Sequence, residues 1–469
     1  MDQYKIQEVK AATLILERSN GDVLLCERSK NLSFFPGYYV FPGGKIDDQL
    51  SDDWIGTEPQ VIQTIIREIY EEVGIIGSSS RIVPSADRSA ADFKELKSHS
   101  KIESYDKEIV FIGRKITPPF RKRVFDTAYY ICSKDFIDNQ DPEPDGYEIV
   151  SVTWIQPKLA VEQWENGELR LPPPTLHILR IMAKNRENLE MITLVETELP
   201  IGLQTKVEFT PGITAIPITS NTIPPFMNTN LVVVESDEDC LIVDPGANKI
   251  SKHHLRQLLL SLPSTPKVFI THSHKDHWEG LDIVEEIYPD AVIYGHEKMF
   301  TRIKTSLETH PVFNETIFVG KRKLDAIYTP GHTDGHMSLF DELTKTIIAG
   351  DHVVGWGSAV LSSSIGDMTD YLNTCKQLID LAPKLIIPAH GPPNFDPISL
   401  LKTYISHRLE RESAILLAIE NNHHTLDEIV EVVYQDVPKE MWEFAKGNII
   451  LHIKKLVKEK QTNIKFAFL

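Results

Sequence analysis

Thr271-His272-Ser273-His274-Lys275-Asp276-His277 places four divalent-metal ligands within seven residues. The apolar run Val268-Phe269-Ile270 comes just before it and reads as a buried strand. Alternate residues of an extended chain point the same way, so His272 and His274 share one direction. Asp276 and His277 follow where the chain turns and can serve a second, adjacent spot. The competing reading is a polar surface loop that happens to be rich in histidine.

Three later strand ends carry the same chemistry. Asp325–Thr329 runs into Pro330-Gly331-His332, Thr346–Ala349 into Gly350-Asp351-His352, and Leu385–Ile387 into Pro388-Ala389-His390-Gly391. Taken singly, each is ordinary turn chemistry. Four in one half of a chain are what a rigid sheet offers when it presents ligands on its loops. Other strands are expected at Ile213–Ile218, Asn230–Glu235, Cys240–Val243, Ala291–Tyr294 and Met337–Phe340. Helices are expected near His253–Leu262 and Leu281–Ile287.

In this order the motifs resemble the metallo-β-lactamase fold over about residues 205 to 395. The resemblance implies an αββα sandwich with two metals. His272, His274 and His332 would hold one, Asp276, His277 and His390 the other, and Asp351 would bridge them. The set contains no cysteine and suits Zn²⁺ first. Asp244, in Asp244-Pro245-Gly246, matches the fold's early motif and would orient a ligand. His336 and His352 would be structural neighbours, and Asp276 a catalytic residue as well as a ligand. Such a pair supplies hydroxide at neutral pH and suits a phosphodiester or a thioester.

Past the last ligand, helices are expected from Tyr404, over Thr425–Tyr434 and over Met441–Lys460. They resemble the small winged-helix-like tail of the β-lactamase-like protein 2 group of endoribonucleases, which implies single-stranded RNA as partner. Six lysines and one acid, Glu459, lie between Lys446 and Lys465. They form either a phosphate-facing patch or a solvated basic helix. His407 and Arg408 are read as helix-surface residues within reach of a phosphate.

The N-terminal third has a different grammar. Asn20-Gly21 between the runs Lys10–Glu17 and Val23–Arg28 predicts a hairpin. Tyr38–Phe41 leads into Pro42-Gly43-Gly44. Glu58–Val73 then reads as a helix closed by Gly74. Near its end Glu68, Glu71 and Glu72 fall three and four apart, on one face. A solvated acidic face or an oxygen-ligand site for Mg²⁺ explains that spacing. Arg67-Glu68-Ile69-Tyr70-Glu71-Glu72-Val73-Gly74-Ile75 resembles the second half of a Nudix box. The gap from Gly44 to Arg67 exceeds the usual box by about nine residues, and the upstream Glu of the pattern falls on Pro59, beside Glu58. Together with Leu24-Leu25, Arg28-Ser29 and Val40 to Gly44, this resembles a Nudix subgroup that includes coenzyme-A diphosphatases. The resemblance implies an α/β/α sandwich with Mg²⁺ or Mn²⁺ on Glu68, Glu71 and Glu72. It also implies catalytic roles for Glu68 and Glu72, Arg67 orienting the carboxylates, and a nucleoside-diphosphate-type, coenzyme-A-like substrate. No general base is placed; Glu148 is a weak candidate and is read first as a surface strand residue. Further strands are expected near Glu108–Ile116, Val124–Cys132 and Glu148–Ile155, with a helix at Pro157–Asn166.

The overall expectation is an α+β chain in three parts: 1–195 Nudix-like, 196–395 metallo-β-lactamase-like and 396–469 winged-helix-like. Net charge is −18, which argues against a whole-surface electrostatic grip on nucleic acid. Four cysteines without a CxxC pair suit a reducing compartment. Neither a secretory leader nor a membrane-spanning run is read. The expected location is the cytoplasm, with the mitochondrion as alternative, and oligomeric state is left open. A glyoxalase-II-like thioester hydrolase, its Nudix part serving only to bind a nucleotide, is the rival function.

Overall fold

A computed structural model describes residues 7–32, 34–46, 50, 56, 58–75, 88, 109–116, 123–132, 141–184, 206–224, 226–236, 238–361 and 363–460. The end of the lysine-rich segment, including Lys465, lies outside the described residues, as does most of the stretch from about 188 to 210 where the domain boundary is expected. The chain forms two compact units, Met1–Pro211 and Gly212–Leu469.

The first unit holds β1 (Gln7–Leu16), β2 (Val23–Arg28), β3 (Tyr39–Val40), β4 (Gly43–Lys45), α1 (Pro59–Val73), β5 (Ile109–Ile116), β6 (Arg123–Cys132), β7 (Ile149–Ile155), α2 (Pro157–Glu165), α3 (Pro173–Lys184) and β8 (Val207–Thr210). Two of its sheets run β4-β1-β6-β5 and β3-β2-β7. Strand alternation divides its core in two. Leu14, Leu16, Leu24 and Cys26 face a cluster with Val61, Ile65, Ile69 and Val73 of α1. Ile15, Val23 and Leu25 face the other way, onto Ala160 and Trp164 of α2 and Ile178 and Leu179 of α3. The result is the expected α/β/α sandwich. The buried face of α1 recurs at the three-and-four spacing of a helix, each large side chain contributing roughly 1.5–3 kcal/mol. Gly74 ends α1 at φ 67°, its N–H donating to the Tyr70 carbonyl at 3.0 Å.

The Asn20-Gly21 turn forms, the Gly21 N–H donating to the Arg18 carbonyl and the Arg18 N–H to the Asp22 carbonyl, both at 2.8 Å. The hairpin extends no further than the antiparallel Glu17–Val23 bridge, beyond which β1 and β2 part into different sheets. β1 is claimed on its two edges by β4 and β6, and β2 by β3 and β7, so tertiary pairing overrides the turn's local preference.

The second unit is two facing sheets and their helices. β9 (Ile213–Thr219), β10 (Asn228–Ser236), β11 (Asp239–Val243), β12 (Lys267–Phe269), β13 (Val292–Gly295) and β14 (Glu308–Pro311) build one. β15 (Glu315–Val319), β16 (Arg322–Tyr328), β17 (Met337–Asp341), β18 (Thr346–Ile348) and β19 (Leu385–Ile387) build the other. Helices α4 (Lys252–Leu260), α5 (Lys275–Trp278), α6 (Leu281–Ile287) and α7 (Glu297–Phe300) belong to the first half, and Leu255, Leu259, Leu281 and Val284 pack on its sheet. Helices α8 (Met368–Asp380) and α9 (Pro397–Glu420) cover the second through Tyr371, Cys375, Leu378, Leu401 and Tyr404. This is the αββα sandwich. α10 (Leu426–Val433), opened by a Thr425–Glu428 capping box, and α11 (Trp442–Lys458) close a small separate core with the end of α9.

β14, β15 and α8 were not among the expected elements, and α9 begins at Pro397 rather than Tyr404. Among the described residues no helix is long and apolar enough to cross a membrane.

Candidate metal centre

The ligand candidates collect at one end of the facing sheets. β12 stops at Phe269, and the chain turns through His272 and His274 into the one-turn helix α5, which carries Asp276 and His277. Two sets of donor atoms result, each lying within 4.8 Å of one another: His272, His274, His332 and Asp351, and Asp276, His277 and His390. Among the described residues these are the sets with that convergence, and together they comprise all seven expected ligands of this half.

In the first set His332 Nε2 lies 3.0 Å from His274 Nδ1 and 3.3 Å from His272 Nε2, and His272 Nε2 lies 2.9 Å from His274 Nδ1. Asp351 stands between the sets. Its Oδ2 is 3.8 Å from His272 and 3.6 Å from His332, and its Oδ1 is 3.5 Å from His277 and 3.2 Å from His390. Asp276 Oδ2 faces His390 Nε2 at 3.4 Å.

The surrounding groups aim bare ring nitrogens inward. Asp244 takes the Thr271 N–H at 2.8 Å and the Thr271 hydroxyl at 2.7 Å, and faces His277 Nδ1 at 2.8 Å. With its proton on that nitrogen, His277 turns the Nε2 lone pair to the centre. Because the Thr271 hydroxyl donates to Asp244, it accepts from His272 Nδ1, 3.1 Å away. His390 Nδ1 donates to the Asn228 carbonyl at 2.9 Å, again leaving Nε2 inward. His277 Nε2 and Asp351 Oδ1 are buried without a hydrogen-bond partner. Close-set, partnerless nitrogen and oxygen donors are what a divalent cation satisfies, so the residues fit a pair of them.

Electrostatics agree. Burial lowers the pKa of His272 and His332 well below the usual histidine range, with neighbouring imidazoles adding. Burial opposes ionisation of Asp276, yet His277 and His390 outweigh it and hold the carboxyl at about 2. Burial would also keep His390 neutral, but Asp351 and Asp276 raise it to about 9.

Two glycines make the approach possible. A Cβ on Gly331, at φ 132°, would stand 2.4 Å from the Tyr371 backbone, and one on Gly350, at φ 53°, 2.6 Å from His336 Nε2. His336 bonds Thr329 at 2.9 Å and receives the Asp351 N–H at 3.2 Å. His352 turns away from the centre, towards Cys375 Sγ at 3.4 Å. Arg408 is a correction: it is 3% exposed, donates to the Ala359 carbonyl and lies over the Tyr371 ring, so it is not a surface residue of its helix. His407 is half-buried.

The N-terminal carboxylates are arranged differently. Arg67 forks between Glu68 and Glu71, 2.8 Å to each, as expected for an orienting guanidinium. Glu72 turns to the Gly43 N–H at 3.0 Å. Burial pushes its carboxyl up to about 8, against the Gly43 bond and with Glu68 adding. The Gly-Gly turn is required here: a Cβ on Gly43, at φ 153°, would stand 2.2 Å from the Ala12 carbonyl oxygen. Glu58 accepts the Gly56 N–H at 2.8 Å, and Glu148 is exposed.

Comparison with known proteins matches residues 8–171 to the NUDIX domain. Residues 224–390 match the Metallo-beta-lactamase superfamily, and 425–463 the Beta-lactamase associated winged helix domain. The Beta-lactamase-like protein 2 homolog of Drosophila melanogaster is 27% identical over 251 residues, 50% of this chain and 84% of its own length. That of Caenorhabditis elegans is 29% identical over 237 residues, 49% of this chain and 79% of its own. The Atrochrysone carboxyl ACP thioesterase of Aspergillus fumigatus is 22% identical over 256 residues, 51% and 78%.

Proposed function

Since the chain is a hydrolase that joins a NUDIX domain to a metallo-beta-lactamase domain with its associated winged helix, we propose that its C-terminal half cleaves single-stranded RNA. The observation that carries a hydrolytic centre is the pair of ligand sets sharing Asp351, with partnerless donors between them. His272, His274 and His332 would hold one divalent cation, Zn²⁺ by donor type, and Asp276, His277 and His390 the other. Bound there, the pair supplies hydroxide at neutral pH and offsets charge on the leaving oxygen. The chain's own part is to keep Asp276 and Asp351 ionised, to fix the tautomers of His277 and His390, and to orient the attacked bond. RNA is supported by the likeness to Beta-lactamase-like protein 2 homologues and by the winged-helix match. Exposed Lys454, Lys458 and Lys460 offer partners for phosphate, while Lys446 and Lys455 are engaged with acids.

The N-terminal half hydrolyses a nucleoside-diphosphate-linked small molecule, coenzyme-A-like in type, with Mg²⁺ or Mn²⁺ on Glu68, Glu71 and Glu72. The lengthened box favours a second reading, in which this half only binds the nucleotide.

The likeness to an acyl-carrier-protein thioesterase favours thioester hydrolysis as the rival for the C-terminal half. Incubation of the metal-loaded chain with a single-stranded RNA oligomer and with an acyl thioester separates the two. RNA cleavage lost in His274→Ala is expected. Turnover of the thioester alone, lost in the same variant, overturns the RNA assignment.

A further inference from the structure

An aromatic ladder leads out of the metal centre. The Phe226 ring stacks on His390 with centroids 5.6 Å apart and planes at 26°, and on Trp356 at 5.6 Å and 11°. His390 is the inner rung, its Nε2 3.2 Å from Asp351. Phe226 and Trp356 are half-buried, so both keep surface towards solvent. Around them Ile223 is 44% exposed and Met227 73%. Phe226 also packs against the core that α8 and α9 cover, while Ile223 and Met227 beside it stay exposed.

The backbone is built to set these rings. The Phe226 N–H donates to the Ile223 carbonyl at 3.2 Å, and the Ser220 N–H to the Met227 carbonyl at 3.1 Å, which pins the loop. Gly391, at φ 80°, leaves room for Phe226: a Cβ there would stand 2.9 Å from the ring. Gly355 donates to the His390 carbonyl at 2.7 Å and packs so tightly on Pro392 that a Cβ would fall 2.4 Å from its ring. Trp356 is thereby carried on the same strut as the ligand. Gly357, at φ 72° with open space around it, turns the chain away immediately afterwards. The loop continues to Ser363, whose carbonyl receives Lys454 Nζ of α11 at 3.4 Å.

We propose that Phe226 and Trp356 form a stacking subsite for one unpaired nucleobase beside the scissile phosphodiester. The inference rests on the RNA reading above. A base laid on this platform is joined to its phosphate by a single sugar, which delivers that phosphate next to His390. A π-face is common to all four bases, so the subsite selects unstacked strands over duplexes and tolerates sequence. Lys454, at the far end of the loop, continues the path for the backbone.

The test uses the full chain and a single-stranded RNA oligomer, compared with the same oligomer carrying an abasic residue at the cleaved position. Trp356→Ala and Phe226→Ala are expected to raise KM for the intact oligomer about tenfold. Wild type and variants should share one KM on the abasic oligomer, and Trp356→Phe should restore most of the loss. In a His274→Ala background, where the oligomer persists, fluorescence of a 2-aminopurine at that position should be quenched on binding and should stay bright when Trp356→Ala is added. Unaltered metal content shows that the centre is intact. Equal KM and equal quenching with and without Trp356 overturn the subsite while leaving RNA cleavage standing. Failure of the wild type to cleave any RNA oligomer removes the RNA reading and the subsite together.

Discussion

Asp244 shows how much of this centre is set by residues that would touch no metal. It sits at φ 53°, a conformation costly for a non-glycine residue, and its carboxylate holds the Thr271 backbone and hydroxyl while facing His277. Through those bonds it fixes the tautomers of two ligands. Asp244→Asn is expected to weaken cation binding about 10- to 100-fold with little change in fold. His277 and His390 carry the pH dependence: burial would keep both neutral, but neighbouring carboxylates outweigh it and raise both above the usual histidine range. With Asp351 and Asp276 holding His390 near 9, it is protonated at neutral pH in the metal-free protein, and a cation must displace that proton. Metal uptake at pH 7 should therefore release protons, and affinity should rise with pH until about 9. Calorimetry in two buffers of different ionisation enthalpy reads the release; identical heats in both would exclude it.

At the scale of elements, the tail helices are tied down by charge as well as by apolar packing. Glu412 of α9 faces His452 Nδ1 at 3.0 Å and Lys455 Nζ at 2.6 Å, both on α11. Burial pushes the Glu412 carboxyl up, but His452 and Lys455 outweigh it and hold it below the ordinary range. The sign follows: a lowered folded-state pKa stabilises above the ordinary glutamate range, and the contribution is lost as pH falls through the lowered value. Glu412→Gln should cost about 1–2 kcal/mol at neutral pH after allowance for solvent screening, and much less below pH ~4. Urea melts of the tail at the two pH values measure it, and an equal loss at both would contradict the pairing. The same scale shows where sequence is legible. β10, β11, β12, β17 and β19 are dense apolar runs, and their pattern is plain. β14 is Glu308-Thr309-His310-Pro311, exposed throughout, and joins its sheet at the edge by pairing with β13. No hydrophobic period marks such an edge. α8 was not expected although its signal is there: Met368, Tyr371, Leu372, Cys375 and Leu378 recur at helical spacing, and Asp367 caps it. The seven C-terminal ligand candidates that the structure brings together were readable because each follows a strand end. The Arg408 burial and the Phe226–Trp356 ladder were not, since both depend on which loops and helices meet.

At the scale of the whole molecule, the NUDIX and metallo-beta-lactamase domains present candidate sites of different donor chemistry, nitrogen-rich in one unit and a carboxylate cluster in the other. Each unit has its own core, so the sites should act separately. Glu72→Gln is expected to abolish turnover of a nucleoside-diphosphate-linked substrate and to leave RNA cleavage as it was. His274→Ala should do the reverse. Paired assays on both variants check this, and loss of both activities in either variant would show coupling. The central claim is the shared centre, and elemental analysis of the purified chain tests it most directly. After removal of loosely held Mg²⁺, about two transition-metal ions per chain are expected for the wild type, about one for His390→Ala, and fewer than one for Asp351→Asn, which loses the bridge. A wild type that holds one ion or none when metal is in excess would contradict a centre built around Asp351.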